Sequence, residues 1–174
     1  MSKLILILGG ARSGKSNYAI SLAKKHRKVA FVATSQALDK EMKKRILIHQ
    51  KNRPKNWKTY EEPWNLAPLV AKISNIYDCV VIDCLTLLVS NLILKKYSEK
   101  KVIKKIDAIL AGLKNKKAKV IMVSNEVGLG LVPTNKLGRN FRDLAGKINQ
   151  TVAKEADEVF FTICGIPVRI KGEK

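Results

Sequence analysis

One stretch limits this chain more than any other: Leu4-Ile-Leu-Ile-Leu-Gly-Gly-Ala-Arg-Ser-Gly-Lys-Ser16. Leu4 to Leu8 is an apolar run of strand length. The next eight residues, Gly9, Gly10, Ala11, Arg12, Ser13, Gly14, Lys15 and Ser16, fit G-x-x-x-x-G-K-[ST], the phosphate-binding P-loop pattern in the strand-then-loop setting it requires. Gly9 and Gly14 permit backbone angles that turn successive N–H groups inward around phosphate oxygens. Lys15 supplies a cation to the β and γ phosphates, and the Ser16 hydroxyl is placed to ligate Mg²⁺. The helix expected to follow adds its positive N-terminal end to the same anion site. Together these features predict a nucleotide-binding site and leave the reaction open.

The rest of the chain alternates strand and helix patterns. Apolar runs at Val29 to Ala33, Cys79 to Val81 with Ile82, and Lys119 to Ser124 predict further buried strands, with a short one at Trp57 to Tyr60. Helical periodicity covers Ser16 to His26, residues 37–51, Asn65 to Asn75, Leu85 to Lys96, Lys101 to Leu113 and Lys136 to Ala156. In the second of these, Leu38, Met42 and Ile46 are spaced as a core-facing stripe, with His49 nearly in line. Glu158 to Cys164, a turn at Gly165-Ile166-Pro167 and a strand at Val168 to Lys171 predict a closing antiparallel hairpin. The expected fold is α/β: a P-loop NTPase-like (RecA-like) three-layer sandwich, its sheet mainly parallel with an antiparallel C-terminal edge strand and covered on both faces. At 174 residues the chain predicts one domain, residues 1–174.

Composition excludes some classes and leaves others open. No apolar segment reaches membrane-spanning length, and the N-terminal apolar run leads directly into the P-loop, which marks it as a core strand. A cytoplasmic protein is expected. Cys79, Cys84 and Cys164 are odd in number and lack metal-ligand spacing, so all three are expected as reduced, buried thiols. The net charge of +20 raises a nucleic-acid partner. Its lysines are scattered over several helices without interleaved aromatics, so no specific nucleic-acid role is expected, and attraction of anionic nucleotides is the simpler consequence.

Two further places carry chemistry. Asp83 ends the run Cys-Val-Val-Ile-Asp in the Walker B manner, an acid delivered by a buried strand beside the phosphate site to hold Mg²⁺ directly or through water. Asn125-Glu126-Val-Gly-Leu-Gly-Leu-Val-Pro133 follows a core strand and has the polar, turn-rich character of an active-site loop.

These pieces, with Ala33-Thr-Ser-Gln36, Arg45-Ile46 followed by His49, Arg53-Pro54 with Trp57, Asp83-Cys-Leu-Thr86 with Asn91-Leu92, Ser124 to Pro133, and Asn140-Phe-Arg-Asp-Leu-Ala-Gly-Lys-Ile-Asn149, resemble one family. It is the bifunctional adenosylcobinamide kinase / adenosylcobinamide-phosphate guanylyltransferase family of cobalamin biosynthesis, and the resemblance runs in order along nearly the whole chain. It implies two reactions: phosphorylation of the aminopropanol hydroxyl of adenosylcobinamide by ATP or GTP, then transfer of GMP from GTP to adenosylcobinamide phosphate through a histidine–GMP intermediate. The residue matching the nucleophile is His49, with Lys15 as its catalytic companion at the phosphates. By the same matching, Gly9 to Ser16, Ala33, Thr34, Ser35, Gln50, Lys51, Asn52, Arg53, Glu61 and Asp83 contact the nucleotide, Ser16 and Asp83 hold Mg²⁺, and the assembly is a homotrimer.

General chemistry is consistent with these roles. A neutral imidazole is a competent nucleophile near neutral pH, and a phosphoramidate is reactive enough to pass a nucleotide on. A carboxylate can accept guanine's N1–H and 2-amino group side by side, which suits Glu61 or Asp83 without choosing between them. Arg12, Lys15 and Arg53 are suited to neutralising phosphate charge. Arg142 and Asp143 read as a structural ion pair. Three alternatives use the same P-loop. A small-molecule kinase acting by direct transfer has no need of His49. A nucleic-acid-associated ATPase draws only on the charge. A non-enzymatic nucleotide-binding module has no use for a histidine and several acids in the matched stretches.

Overall fold

The protein is described by a computed structural model covering residues 3–51 and 53–173. In chain order its elements are β1 (Leu4–Leu8), α1 (Lys15–Ala23), β2 (Val29–Ala33), α2 (Lys40–Lys51), β3 (Lys58–Glu61), α3 (Leu66–Ile73), β4 (Cys79–Asp83), α4 (Leu85–Leu94), α5 (Glu99–Leu113), β5 (Lys119–Val123), α6 (Lys136–Glu155), β6 (Glu158–Ile163) and β7 (Ile166–Lys171). Uninterrupted apolar runs became central strands because both of their faces are covered. All residues of β1 and β2 are buried.

The seven strands form one sheet in the order β3-β2-β4-β5-β1-β6-β7. All neighbouring pairs are parallel except β6 with β7, as the sequence predicts. β5 lies between β1 and β4, so the P-loop strand and the strand ending in Asp83 are next-but-one neighbours. Their registers align Ala33 with Asp83, Asp83 with Val123, and Ile7 with Val123. The residues that follow these strands therefore emerge along one edge, the carboxyl end where open α/β sheets bind ligands.

Alternation along each strand sorts the core into two layers. Leu4, Leu6, Leu8, Val32, Ile82 and Met122 face the layer closed by α3, α4, α5 and α6. Ile5, Ile7, Phe31, Val81 and Ile121 face the other, where Ala19, Ile20 and Ala23 of α1 and Trp57 supply the cover.

α2 contributes to neither layer, and none of its residues is buried. This corrects the expected core stripe. The Asp39 carboxylate accepts the Met42 amide at 2.7 Å and the Asp39 carbonyl accepts that of Lys43, which caps the helix after Leu38. Leu38 is thus outside the helix and exposed, and Met42 and Ile46 are only half-buried.

The C-terminal hairpin needs two corrections. Its turn is Cys164-Gly165, with φ of 51° and 83°, the paired positive angles that suit a two-residue hairpin connection. Ile166 and Pro167 already belong to β7. Proline is tolerated there because β7 is an edge strand with no further neighbour to donate to. Cys164 sits on the turn and is exposed, whereas Cys79 and Cys84 are buried as expected. Among the described residues no helix is long and apolar enough to cross a membrane.

Candidate functional site

The P-loop leaves β1 at Gly9, whose φ of 151° and surroundings admit only glycine: an added Cβ would come within 2.5 Å of the Thr162 carbonyl oxygen. Gly14 caps α1 at φ 94°, with room for no side chain against the backbone of Gly165. The Gly165 amide donates to the Ser13 carbonyl at 3.0 Å, so the β6–β7 turn braces the loop from behind. Arg12 adopts φ 55° and is exposed at the crest, beside Ala11.

Lys15 is only 7% exposed. Its ammonium donates to the Gly10 carbonyl and, at 3.3 Å, to the Ser13 hydroxyl, so the cation lies folded against its own loop. Burial lowers its pKa, opposed by Cys84 and Asp83. Burial also pushes the Cys84 thiol up to about 12, so near neutrality the charge that Lys15 meets is the Asp83 carboxylate. Ser16, in the first turn of α1, is half-buried, and its hydroxyl has no hydrogen-bond partner among the described residues.

At the end of β2, Thr34 is fully buried. Its hydroxyl donates to the Cys84 carbonyl at 2.7 Å and accepts the Cys84 amide at 2.9 Å. The Asn91 amide group ties the Thr34 carbonyl (2.8 Å) to the Pro63 carbonyl (3.1 Å). The side chain of Thr34 is therefore committed to joining β2 to β4. Ala33 is buried in the core, and Ser35 is the half-exposed hydroxyl of this strand end.

Beyond it, Gln50, Arg53, Pro54, Lys55, Trp57, Thr59 and Glu61 line an open cavity of about 350 Å³. The Arg53 guanidinium lies 3.9 Å from the centre of the Phe31 ring, and its Nε and Nη1 are buried without a hydrogen-bond partner among the described residues. Burial lowers its pKa, while Asp83 and Glu61 pull the other way. A buried guanidinium with unused N–H groups is suited to an anion or to a carbonyl-bearing base. Gln50 Nε2 donates to Glu61 Oε1 at 3.4 Å. Lys15, Asp83, Arg53 and Glu61 thus influence one another electrostatically, and Gln50 joins this set through its hydrogen bond to Glu61.

His49 is not joined to that set. It is exposed on the last turn of α2, and its side chain makes no hydrogen bond or ion pair with another described residue. Lys51, also exposed, ends the helix, and Asn52 lies outside the described residues. Arg142 and Asp143 do pair, at 3.8 Å.

A second set of polar residues was not assigned from the sequence. Thr86, Ser124 and Asn149 are buried and connected: Thr86 Oγ1 and Ser124 Oγ lie 3.0 Å apart, and Ser124 Oγ donates to Asn149 Oδ1 at 2.7 Å. Thr86 Oγ1 accepts the Asn125 amide at 2.6 Å, and Asn149 Nδ2 donates to the Asn125 carbonyl at 3.1 Å. Only a long-range contact between α4, β5 and α6 unites these residues, so the one available signal was three polar residues at core positions.

The strand order, the glycine-walled phosphate loop and an acid at the end of the next-but-one strand define a P-loop nucleotide-binding protein of the NTPase type. Solved structures agree on the fold: a KaiC-like protein of Pyrococcus horikoshii (TM-score 0.51, 12% identity, 91% of this chain and 70% of that one), and an ATPase of a bacterial type III secretion system (TM-score 0.58, 10% identity, 91% and 50%).

Sequence relationships are narrower. The family described as cobinamide kinase / cobinamide phosphate guanyltransferase matches residues 5–170. The bifunctional adenosylcobalamin biosynthesis protein CobU of Escherichia coli K12 is 39% identical over 97% of this chain and 99% of its own. The bifunctional adenosylcobalamin biosynthesis protein CobP of Pseudomonas aeruginosa is 42% identical, over 97% of each. The chain belongs to the cobinamide kinase / cobinamide phosphate guanyltransferase family.

Proposed function

We propose that this protein phosphorylates the hydroxyl of adenosylcobinamide with ATP or GTP, and then transfers GMP from GTP to adenosylcobinamide phosphate through His49. Family membership supplies the two activities. The observation that carries the reading to these residues is the cavity lined by Gln50, Arg53 and Glu61, with Arg53 Nε and Nη1 left unpartnered, at the same carboxyl edge of the sheet as the P-loop and Asp83.

In this account the backbone amides of Gly9 to Ser16 and the N-terminus of α1 hold the phosphates. Lys15 turns from the Gly10 carbonyl and Ser13 hydroxyl to the phosphate oxygens, and Arg53 takes the remaining anionic charge with its unused N–H groups. Ala33 and Ser35, with the backbone at Thr34 and the segment Gln50 to Arg53, border the nucleoside, and Glu61 or Asp83 accepts the guanine donors. The free Ser16 hydroxyl and the half-buried Asp83 carboxylate, which has no hydrogen bond to a described residue, are hard oxygen donors of the kind Mg²⁺ takes in small number, leaving its other positions to phosphates and water. Mg²⁺ bound there supplies charge neutralisation on the phosphates.

For guanylyl transfer, His49 attacks the α-phosphorus of GTP, pyrophosphate leaves, and a histidine–GMP phosphoramidate forms. The phosphate of the acceptor then attacks the same phosphorus and the imidazole leaves. Because α2 buries no residue, bringing His49 to the phosphates disrupts little of the core. The reading includes a cytoplasmic homotrimer; the apolar, exposed residues Ile166, Val168 and Ile170 of edge strand β7 suit burial against another copy.

The test is product analysis. Protein, adenosylcobinamide, Mg²⁺ and either ATP or GTP are expected to yield adenosylcobinamide phosphate by mass spectrometry, and GTP alone to carry it on to the GDP-linked corrinoid. Absence of any phosphorylated corrinoid with folded, nucleotide-binding protein would overturn the reading.

A further inference from the structure

The end of β5 is held with unusual care. Thr86 on α4 and Asn149 on α6, both buried, direct hydrogen bonds to the two residues Asn125 and Glu126, and the buried Ser124 hydroxyl, just after β5, joins Thr86 to Asn149. Thr86 and Asn149 take the amide and the carbonyl of Asn125, so that residue's backbone is fixed on both sides. Glu126 is then pinned to the phosphate loop itself: its amide donates to the carbonyl of Gly9 at 3.0 Å. Its carboxylate is held as well, Oε1 accepting the Gly128 amide at 2.7 Å and Oε2 lying 3.5 Å from Asn149 Nδ2. A Cβ at Gly128 would come within 2.8 Å of that Oε1, so glycine is what lets the carboxylate lie against the turn.

Burying such a network is costly unless every member is satisfied, and here the satisfied members all serve one short segment. Glu126 itself is not needed for an ion pair: no described cation forms one with it. Each of its oxygens is engaged by a single N–H, which leaves acceptor capacity on both. The charge of Asp83, the other acid at this edge, instead acts on Lys15 and Arg53, which suits it to cations and metal.

We propose that Glu126 is the residue that receives the acceptor alcohol in the kinase half of the reaction and takes its proton, with Asn149 as the positioning residue behind it. This rests on the functional reading above. In the step, the acceptor hydroxyl oxygen forms a bond to the γ-phosphorus and the bond from that phosphorus to the β–γ bridging oxygen breaks. The nucleoside diphosphate leaves with the bond's electrons, and the hydroxyl proton passes to a Glu126 carboxylate oxygen. Guanylyl transfer has no hydroxyl to deprotonate, since its acceptor is already a phosphate anion, so Glu126 serves one half of the chemistry and His49 the other.

Glu126→Gln separates this from a structural role, because the amide keeps an oxygen for the Gly128 N–H while losing the ability to take a proton. Three quantities are measured on wild type and variant: adenosylcobinamide phosphorylation against pH, nucleotide KM, and GTP-dependent self-labelling. The expected result is a fall in kinase kcat of about 10²-fold or more with nucleotide KM little changed. The acid-side decline of the wild-type kinase profile should be absent from the variant, and self-labelling should persist. Glu126→Asp should recover part of the rate. Asn149→Ala, which leaves the proton acceptor present but loosely held, should lower kcat by a smaller factor and keep the acid-side decline. Kinase activity of Glu126→Gln within about threefold of wild type, on the same scale, would overturn the proposal, and so would parallel loss of labelling and phosphorylation. A wild type that labels itself but phosphorylates no corrinoid would instead overturn the functional reading on which the proposal stands.

Discussion

The two helices to which the proposed function gives the chemistry are built in opposite ways. α1 follows the P-loop and packs Ala19, Ile20 and Ala23 into the sheet, while the loop before it is walled by Thr162 and Gly165. α2 carries His49 and buries nothing; Leu47 and Ile48 stand exposed on it at 48% and 59%. The difference matches the two tasks. A phosphate cradle works best when its N–H groups are fixed before the ligand arrives. A nucleophile that must meet GTP, and then stand aside for a second substrate, belongs on an element whose displacement disturbs little packing.

The sharpest way to break the comparison is at the fixed side. Lys15→Ala should lower both corrinoid phosphorylation and self-labelling by about 10²–10³-fold, because both reactions use the one cradle; loss of only one activity in steady-state assays would mean two separate nucleotide sites. Stability should divide along the same line. Leu6→Ala, in the P-loop strand, should cost about 2–5 kcal/mol in denaturant unfolding, whereas Ile48→Ala on α2 should stay within about 0.5 kcal/mol. A large cost at Ile48 would show that α2 is packed in solution.

Arg53, at the junction between the two regions, should show an intermediate effect. Arg53→Ala should raise the KM for GTP by about tenfold or more through lost charge-assisted hydrogen bonds. Arg53→Lys should recover little of this, because a point charge does not replace the planar fork stacked on Phe31. The smallest effect is expected within α2 itself. Glu41 and Arg45 pair at 2.6 Å but are well exposed, so Glu41→Ala should change stability by no more than about 0.5 kcal/mol.

The fixed region was also the legible one. A run such as Leu-Ile-Leu-Ile-Leu followed by G-x-x-x-x-G-K-S carries its structure in adjacent residues, and β4 and β5 emerged from similar runs within a residue of their expected ends. The mainly parallel sheet with its antiparallel edge followed from the alternation of those runs with helices. What misled was periodicity without cover. Leu38, Met42 and Ile46 have core spacing, but spacing does not state whether a sheet face lies opposite, and capping by Asp39 removed Leu38 from the helix. Cys164 stands in an apolar stretch yet lies on the turn that braces the P-loop. The network of Thr86, Ser124 and Asn149 depends on contacts 25 and 38 residues apart, and no local pattern encodes such a meeting. Thr34 was expected among the nucleotide contacts, and its hydroxyl is engaged by Cys84.

The account's central claim is that a loosely packed helix delivers a histidine nucleophile to a rigid phosphate cradle. Its most direct test is incubation with α-³²P-labelled GTP and Mg²⁺, comparing wild type with His49→Ala at matched GTP binding. The account predicts an acid-labile, alkali-stable label on the wild type that is absent from His49→Ala and is discharged by adenosylcobinamide phosphate. A label that persists in His49→Ala, or no label on wild-type protein that binds GTP, would contradict it.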